Sequence, residues 1–465
     1  MTLNMLSPFI YAVTGLTASK LWHDTLRLFV TTFHPECSPG AVDIVLKRQI
    51  LESYLSWNVA GVMIGGIMAG LLTDSITPNK TFPASVGIIG ATSLILIGIS
   101  FFPGLASILV YLRVGILILS AFLIIQGKTR AIRRIATMAC LSTLVMVIFS
   151  VDSSLNLLFI RGFAIAVAMN SAYVAVGDMY RGDPFLPTAS NYLYLTLFGS
   201  LAICPWLLEL LPKKAFFIAA STLMLLLAFL LKQNIPKTKY SVPSFRRYFS
   251  SWPTLLVRPE FLLCCGASMI CIGGFYNILY IFADAAIHHN YSGNIGFMQL
   301  IGRSATLFTL VLMYLFGLLR VRKLELSSRN CAQYMSLAML IVSFALAILL
   351  KFHFNLPLGL TASVMFVMTC LATGLAQPAA KTAIIAIGQK GSVTGGAQSF
   401  VTLMNSAIEY GGCKIILACS YPQGARIYLG FLVFLTFGLA SGLFIMRKKI
   451  NGNLPSKGNE VKPEV

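Results

Sequence analysis

Polar and apolar positions in this chain alternate on the scale of whole helices. Runs of about 20 apolar residues, long enough to cross the hydrocarbon layer of a bilayer, recur with short polar breaks between them. They fall near 7–30, 52–73, 84–102, 106–126, 131–150, 154–177, 190–211, 214–232, 260–283, 294–316, 331–351, 357–378, 392–418 and 425–446. These runs predict about fourteen membrane-spanning helices. The first is the least apolar, because Lys20, His23, Asp24 and Arg27 fall in its second half. Breaks as short as Phe101-Phe102-Pro103-Gly104 and Leu211-Pro212-Lys213-Lys214 leave no room for large soluble domains. Lipid cannot satisfy free backbone groups, so continuous runs of this length predict helices. A membrane barrel would show short alternating strands instead.

The rhythm breaks once, over 233–259. That stretch is basic, holds Pro236, Pro243 and Pro253, and reads as a cytoplasmic linker with a surface-lying helix around 245–256. It divides the chain into an N-terminal bundle (1–232), a C-terminal six-helix bundle (260–446) and a cytoplasmic tail (447–465), polar and expected to be disordered from Asn451. Six helices, a basic loop and six more are the layout of a two-halved transporter. The first half has two helices too many. The surplus is either the first two segments or the pair over 190–232.

Composition supports lipid as the solvent. Apolar residues make up 57% and charged residues 11% of the chain, against about 25% charged in a soluble domain. Lys and Arg number 35 against 15 Asp and Glu, a formal +20. The positive charge collects in alternate loops: Lys128 to Arg134, Lys237 to Arg258, Arg320 to Arg329, and Arg447-Lys448-Lys449. The loops between are poorer in it; Val151 to Ser154 and Asp284 to Gly293 have none. This is the positive-inside pattern, with both termini cytoplasmic, in a bacterial inner membrane or equivalent plasma membrane. It accounts for a basic balance that would otherwise suggest nucleic acid. The ten cysteines lie mostly inside apolar runs and suit soft packing. Neither they nor the five histidines show metal-ligand spacing, so no metal or cofactor is expected. The N-terminus lacks the basic start and cleavage site of a signal peptide, so the first helix is expected to stay attached.

Three motifs carry candidate chemistry. The first is Gly70-Leu71-Leu72-Thr73-Asp74-Ser75-Ile76-Thr77-Pro78-Asn79-Lys80, after the second run. Here the chain resembles the major facilitator superfamily, whose members carry Gly-x-Leu-x-Asp-Arg-x-Gly-Arg-Arg after their second helix. Gly70, Leu72, Asp74 and Lys80 match; Ser75, Thr77 and Pro78 do not. The resemblance implies a conformational latch at Gly70, Asp74 and Lys80. Arg133 and Arg134, with Asp178 ending a later run, compete for the same role. The second motif is an arginine inside an apolar run, Arg161 or its competitor Arg113. Burying a guanidinium is costly, so such residues line polar cavities, pair, or snorkel to the interface. The family's fourth helix carries such an arginine. The third is Ser200-Leu201-Ala202-Ile203-Cys204-Pro205. It resembles the Gly-x-x-x-Gly-Pro of drug:proton antiporters, with Ser200 and Cys204 as small packing residues beside Pro205.

If Asp74 marks the family's second-to-third loop, 190–232 is an inserted pair. If Arg133-Arg134 marks it, Arg161, Asp178 and Cys204-Pro205 fall into place together and the first two helices are the addition. The second register is preferred. In the back half, Tyr276, Asn277 and Gln398 follow the family's order of positions, and Gln398 and Asn405 form a polar face preceding Glu409. Glu409 and Asp24 are candidate proton carriers, since a carboxylate in an apolar run is a functional-site candidate.

The expectation is an all-α polytopic membrane protein with a major-facilitator-like two-bundle fold, 12 core helices and an additional pair. It implies a monomeric secondary active transporter in contact with lipid, a small-molecule substrate and protons. It exports amphipathic compounds by alternating access, or takes up a nutrient such as an amino acid. A membrane-embedded transferase is the alternative from another class. The absence of Gly-x-x-x-x-Gly-Lys-Ser/Thr argues against built-in ATP hydrolysis.

Overall fold

The computed structural model describes residues 3–24, 26–33, 44–102, 105–126, 136–137, 140, 153–180, 189, 192–193, 212–236, 252–274, 277, 281, 331–352, 368, 376–377, 379–388, 394–418 and 423–452. The first half contains α1 (Leu3–Asp24), α2 (Leu26–Phe33), α3 (Ile44–Ile76), α4 (Pro78–Phe101), α5 (Leu105–Gln126), α6 (Ser153–Met179) and α7 (Lys213–Asn234). The second contains α8 (Pro259–Met269), which continues into a π turn at Ile270–Gly274, then α9 (Cys331–Phe352), α10 (Ala379–Gly388), α11 (Thr394–Ala418), α12 (Gln423–Ile445) and α13 (Arg447–Gly452). Six helices among the described residues are long and apolar enough to cross a membrane.

Local chemistry explains several boundaries. Pro78 and Pro259 open α4 and α8, where a missing N–H costs nothing. Thr77, between α3 and α4, has φ 81°, a conformation that favours glycine. Within the helices, hydroxyls bond back one turn: Thr14 to the Ile10 carbonyl, Ser221 to Phe217, Thr436 to Leu432. Such bonds let polar side chains sit where no water is present.

Two apolar cores form. One gathers Leu16, Trp22, Phe82, Ile89, Phe217 and Leu231. The other gathers Phe261, Cys264, Met335, Leu346, Tyr428 and Leu432. Ile385 of α10 joins the first core from the opposite half. Large apolar side chains are also left outside, among them Ile125 on α5, Phe229 on α7 and Phe434 on α12. These faces suit hydrocarbon rather than water.

The helix pairing shows how the segments of the first half pack. α3 packs along α6 and against α11 of the other half. α1 packs on α6 and α7, and α4 packs on α6 and α7. In the second half α9 pairs with α12 much as α4 pairs with α7. The first two segments pack within this half, and so does the 213–234 member of the other candidate pair. Among the described helices of this half, α5 packs lightly on α4 and α6. Apolar content alone does not separate a helix that faces lipid from one that faces protein.

Two expected loose regions are tied down. Residues 252–256 are helical, Leu255 is buried in the second core, and the Trp252 ring meets Phe400 edge-on at 5.9 Å. The rest of the expected surface helix lies outside the described residues. In the tail, Asn451 accepts a bond from the Ala332 N–H and donates one to Gln333, both at 3.0 Å, so the polar tail is ordered through this residue. Lys449 pairs with Glu260 at 3.1 Å; the lysine side chain is 57% exposed and the glutamate 6%. This fastens α13 to the start of α8.

Candidate functional site between the halves

α6 is the helix around which the first half is arranged. Its small residues, Gly162, Ala164, Ala166, Ala168, Ala172 and Ala175, let neighbours approach closely. A Cβ added at Gly162 would collide with the Asn58 carbonyl of α3, and one at Gly61 with the Phe159 carbonyl of α6. One at Gly65 would lie 2.7 Å from the Phe163 carbonyl oxygen. The two backbones are in direct contact, with no side chain between them.

This packing fixes Arg161 in the interior, fully buried. Its Nη2 donates to the Trp22 carbonyl at 3.0 Å. The guanidinium carbon stands 5.4 Å from the Trp22 ring centroid and 5.6 Å from that of Phe29. A planar, weakly hydrated cation is well suited to such aromatic faces. Phe29, Phe33 and Phe217 extend the aromatic group. Arg161 Nε and Nη1, and the Trp22 indole N–H, have no hydrogen-bond partner among the described residues.

The helices that bring the halves together are α3, α6, α10 and α11. The Gly70 N–H donates to Ser399 Oγ, which also accepts from Asn170 Nδ2 at 3.2 Å. A Cβ at Gly66 would lie 3.1 Å from the Leu403 nitrogen. Lys381 Nζ of α10 donates to Gln398 Oε1 of α11 at 3.1 Å and lies 4.6 Å from the centroid of the Tyr173 ring of α6. Behind this contact Ser171 bonds to Thr73 at 3.0 Å and Thr81 at 2.8 Å, joining α3, α4 and α6.

On α11, Gln398, Asn405 and Glu409 are all buried. Their spacing of seven and four places them on one helix face. Asn405 Oδ1 has no partner among the described residues. Asn277 has a different setting: its Nδ2 donates to the Ile408 carbonyl at 2.7 Å and to the Tyr428 hydroxyl at 2.8 Å. It ties α11 to α12 inside the second half. The π turn before it carries Gly273, where a Cβ would strike the Asn405 carbonyl.

The remaining sequence-predicted residues are not gathered here. Gly70 is at the contact between the halves, and Lys80 is exposed in the first turn of α4. Asp178 is half-buried near the end of α6. Arg113 is on α5, away from the contact. The side chains of Asp24, Asp74 and Arg113 lie outside the described residues, as do Arg133, Arg134, Ser200, Cys204, Pro205 and Tyr276 altogether. Among the described residues no group of three or more His, Cys, Asp or Glu is placed to hold a metal.

Sequence reasoning missed Lys381, Tyr173, Asn170 and Ser399. The available signal was a lysine within the apolar run Ala379–Gly388.

Neither a family model nor a curated protein sequence matches the chain. Solved structures do. The human organic anion transporter MFSD10 (TETRAN) is 12% identical, with a TM-score of 0.59, covering 94% of this chain and 98% of that one. The major facilitator proton:xylose symporter XylE, bound to a bromodeoxyglucose, is 11% identical, with a TM-score of 0.57 and 96% of each chain covered. A doubly tryptophan-substituted XylE gives 12% identity and a TM-score of 0.62, covering 97% of this chain and 99% of that one. The chain is an all-helical integral membrane protein with the fold of the major facilitator transporters.

Proposed function

We propose that this protein is a monomeric secondary active transporter that works by alternating access, with its site between the two halves. The contact between α3 and α11 carries the reading. It includes Gly66, which approaches the Leu403 backbone and Thr402, and the single hydrogen bond from the Gly70 N–H to Ser399, so small groups stand at the points of closest approach. Such a seam can part and re-form without dragging large side chains out of a packed core, as alternating access requires. Likeness in fold to XylE and MFSD10 supports the same reading.

In this reading Arg161, Gln398, Asn405 and Glu409 line the solute and proton pathway. Gly70, Asp74 and Lys80 form the latch on the cytoplasmic side, where both termini lie. Protons supply the energy, Glu409 carries them, and the transported compounds are small and amphipathic, moving outward. Uptake of a nutrient is the second reading; it is favoured by the likeness in fold to a proton:sugar symporter.

Proteoliposomes carrying an internal pH dye test both, against a panel of amphipathic solutes and amino acids. Substrate-dependent proton movement is expected, and its sign separates antiport from symport. Solute movement that stops at equilibrium without a proton response removes the energy coupling and the role given to Glu409.

A further inference from the structure

We propose that Lys381 binds the negative group of the transported solute, a carboxylate on an amphipathic molecule, and that the bound anion displaces the Tyr173 ring from the lysine. The proposal rests on the transporter reading above and names the substrate class of that site.

Three observations converge on it. First, the Lys381 residue is 4% exposed, yet its ammonium meets the Gln398 amide oxygen and the face of Tyr173, with the buried Cys265 thiol near enough to interact with it, and no carboxylate among the described residues pairs with it. An ammonium has three donors and no acceptor, and burying it without an anion is expensive. A methionine or leucine would pack against Tyr173 at no such cost, so the charge calls for another role. Second, the neighbouring polar groups include several unused donors. The donors Gln398 Nε2, Gln377 Nε2 and the Tyr173 hydroxyl have no hydrogen-bond partner among the described residues, and neither has the Gln377 Oε1 acceptor. Gln377 precedes Lys381 by four residues, one helical turn, and is 0% exposed. An ionised carboxylate offers about four acceptor positions on two oxygens, which matches an excess of donors. A cationic solute would instead meet a like charge.

Third, the cluster spans the two halves. Lys381, Gln377 and Gln398 belong to the second half and Tyr173 to α6 of the first. An anion that draws the ammonium off the ring removes a contact that joins the halves. Recognition and opening thereby become one event: binding energy is spent on the change of state.

The test uses purified full-length protein in neutral detergent. Thermal unfolding is followed with benzoate and naphthoate, and with the matched amines benzylamine and naphthylmethylamine. The carboxylates are expected to raise Tm and the amines are not. Lys381→Met should weaken the carboxylate response at least tenfold, and Lys381→Arg should keep part of it. Tyr173→Leu should bind the carboxylates several-fold more tightly, because the competing ring is gone; a merely structural cation–ring contact gives no such gain. An equal response to amines, no carboxylate response, or an unchanged response in Lys381→Met overturns the proposal. Should Lys381→Met fail to fold, the acid–amine contrast and the Tyr173→Leu affinity decide. Uptake of labelled naphthoate into proteoliposomes separates the two readings. Lysine-dependent binding without uptake keeps the site and removes transport. Uptake indifferent to Lys381→Met keeps transport and removes the site.

Discussion

Helix α3 meets two neighbours in two different ways. Along α6 it lies backbone on backbone: Gly61 and Gly162 leave no room for even a methyl group. Along α11 the approach is looser, with 3.1 Å from a Cβ at Gly66 to the nearest backbone atom. Protein interiors respond to single methylene groups, so this difference separates a tight seam from a looser one, the one the proposed cycle would open. The buried cations follow the same division. Arg161 finds Trp22 and Phe29 within its own half, so its surroundings travel with it. Lys381 faces Tyr173 across the dividing line, so its surroundings change whenever the halves part.

The largest expected effect comes from the interior of the first half. Arg161→Ala should abolish transport, tenfold or more, while protein remains in the membrane. It also strips the Trp22 carbonyl of its donor, at about 1–3 kcal/mol. Uptake normalised to membrane-inserted protein checks it. Glu409→Gln, on α11, should likewise end concentrative transport by removing an ionisable group. Accumulation against a gradient is the readout, and normal transport by both variants would sink the pathway assigned here. Next come the two seams themselves. Gly162→Ala should lower stability by about 1–3 kcal/mol or more through overpacking. Gly66→Ala should cost less than about 1 kcal/mol and alter transport rate more than Tm. Similar Tm losses in the two variants would remove the distinction between seams. The smallest effect belongs to the end of α3. Thr77 stands where the family motif has glycine and adopts φ 81°. Thr77→Gly should gain about 1 kcal/mol in thermal unfolding by relieving that strain.

Much of this architecture can be read from the residues, for a simple reason. Lipid demands about 20 apolar residues per crossing, so the runs announce the helices. Arg161 stood out because a guanidinium in an apolar run is rare. Pairing was not legible. The sequence of α5 is as apolar as that of α7, yet α7 packs closely on α4 while α5 packs on it lightly. Hydropathy does not say which face meets protein, so it leaves both 1–73 and 190–232 open as the surplus pair. Glycines such as Gly61 and Gly162 read as ordinary membrane residues until their partners are known. Lys381 was hidden differently. It lies ten residues before Gly391, near a polar break, and there a lysine reads as snorkelling to the interface. Only the position of Tyr173 on another helix, some two hundred residues earlier, shows where its ammonium goes.

The pairing of Lys449 with Glu260 bears on where this chain tolerates being cut or extended. Cleavage before residue 447 would strand a carboxylate that is 6% exposed without the cation that neutralises it. It would also free the backbone and side-chain groups that Asn451 holds at the start of α9. Fluorescent or affinity tags therefore belong after residue 452, and shorter chains should be sought downstream of α13.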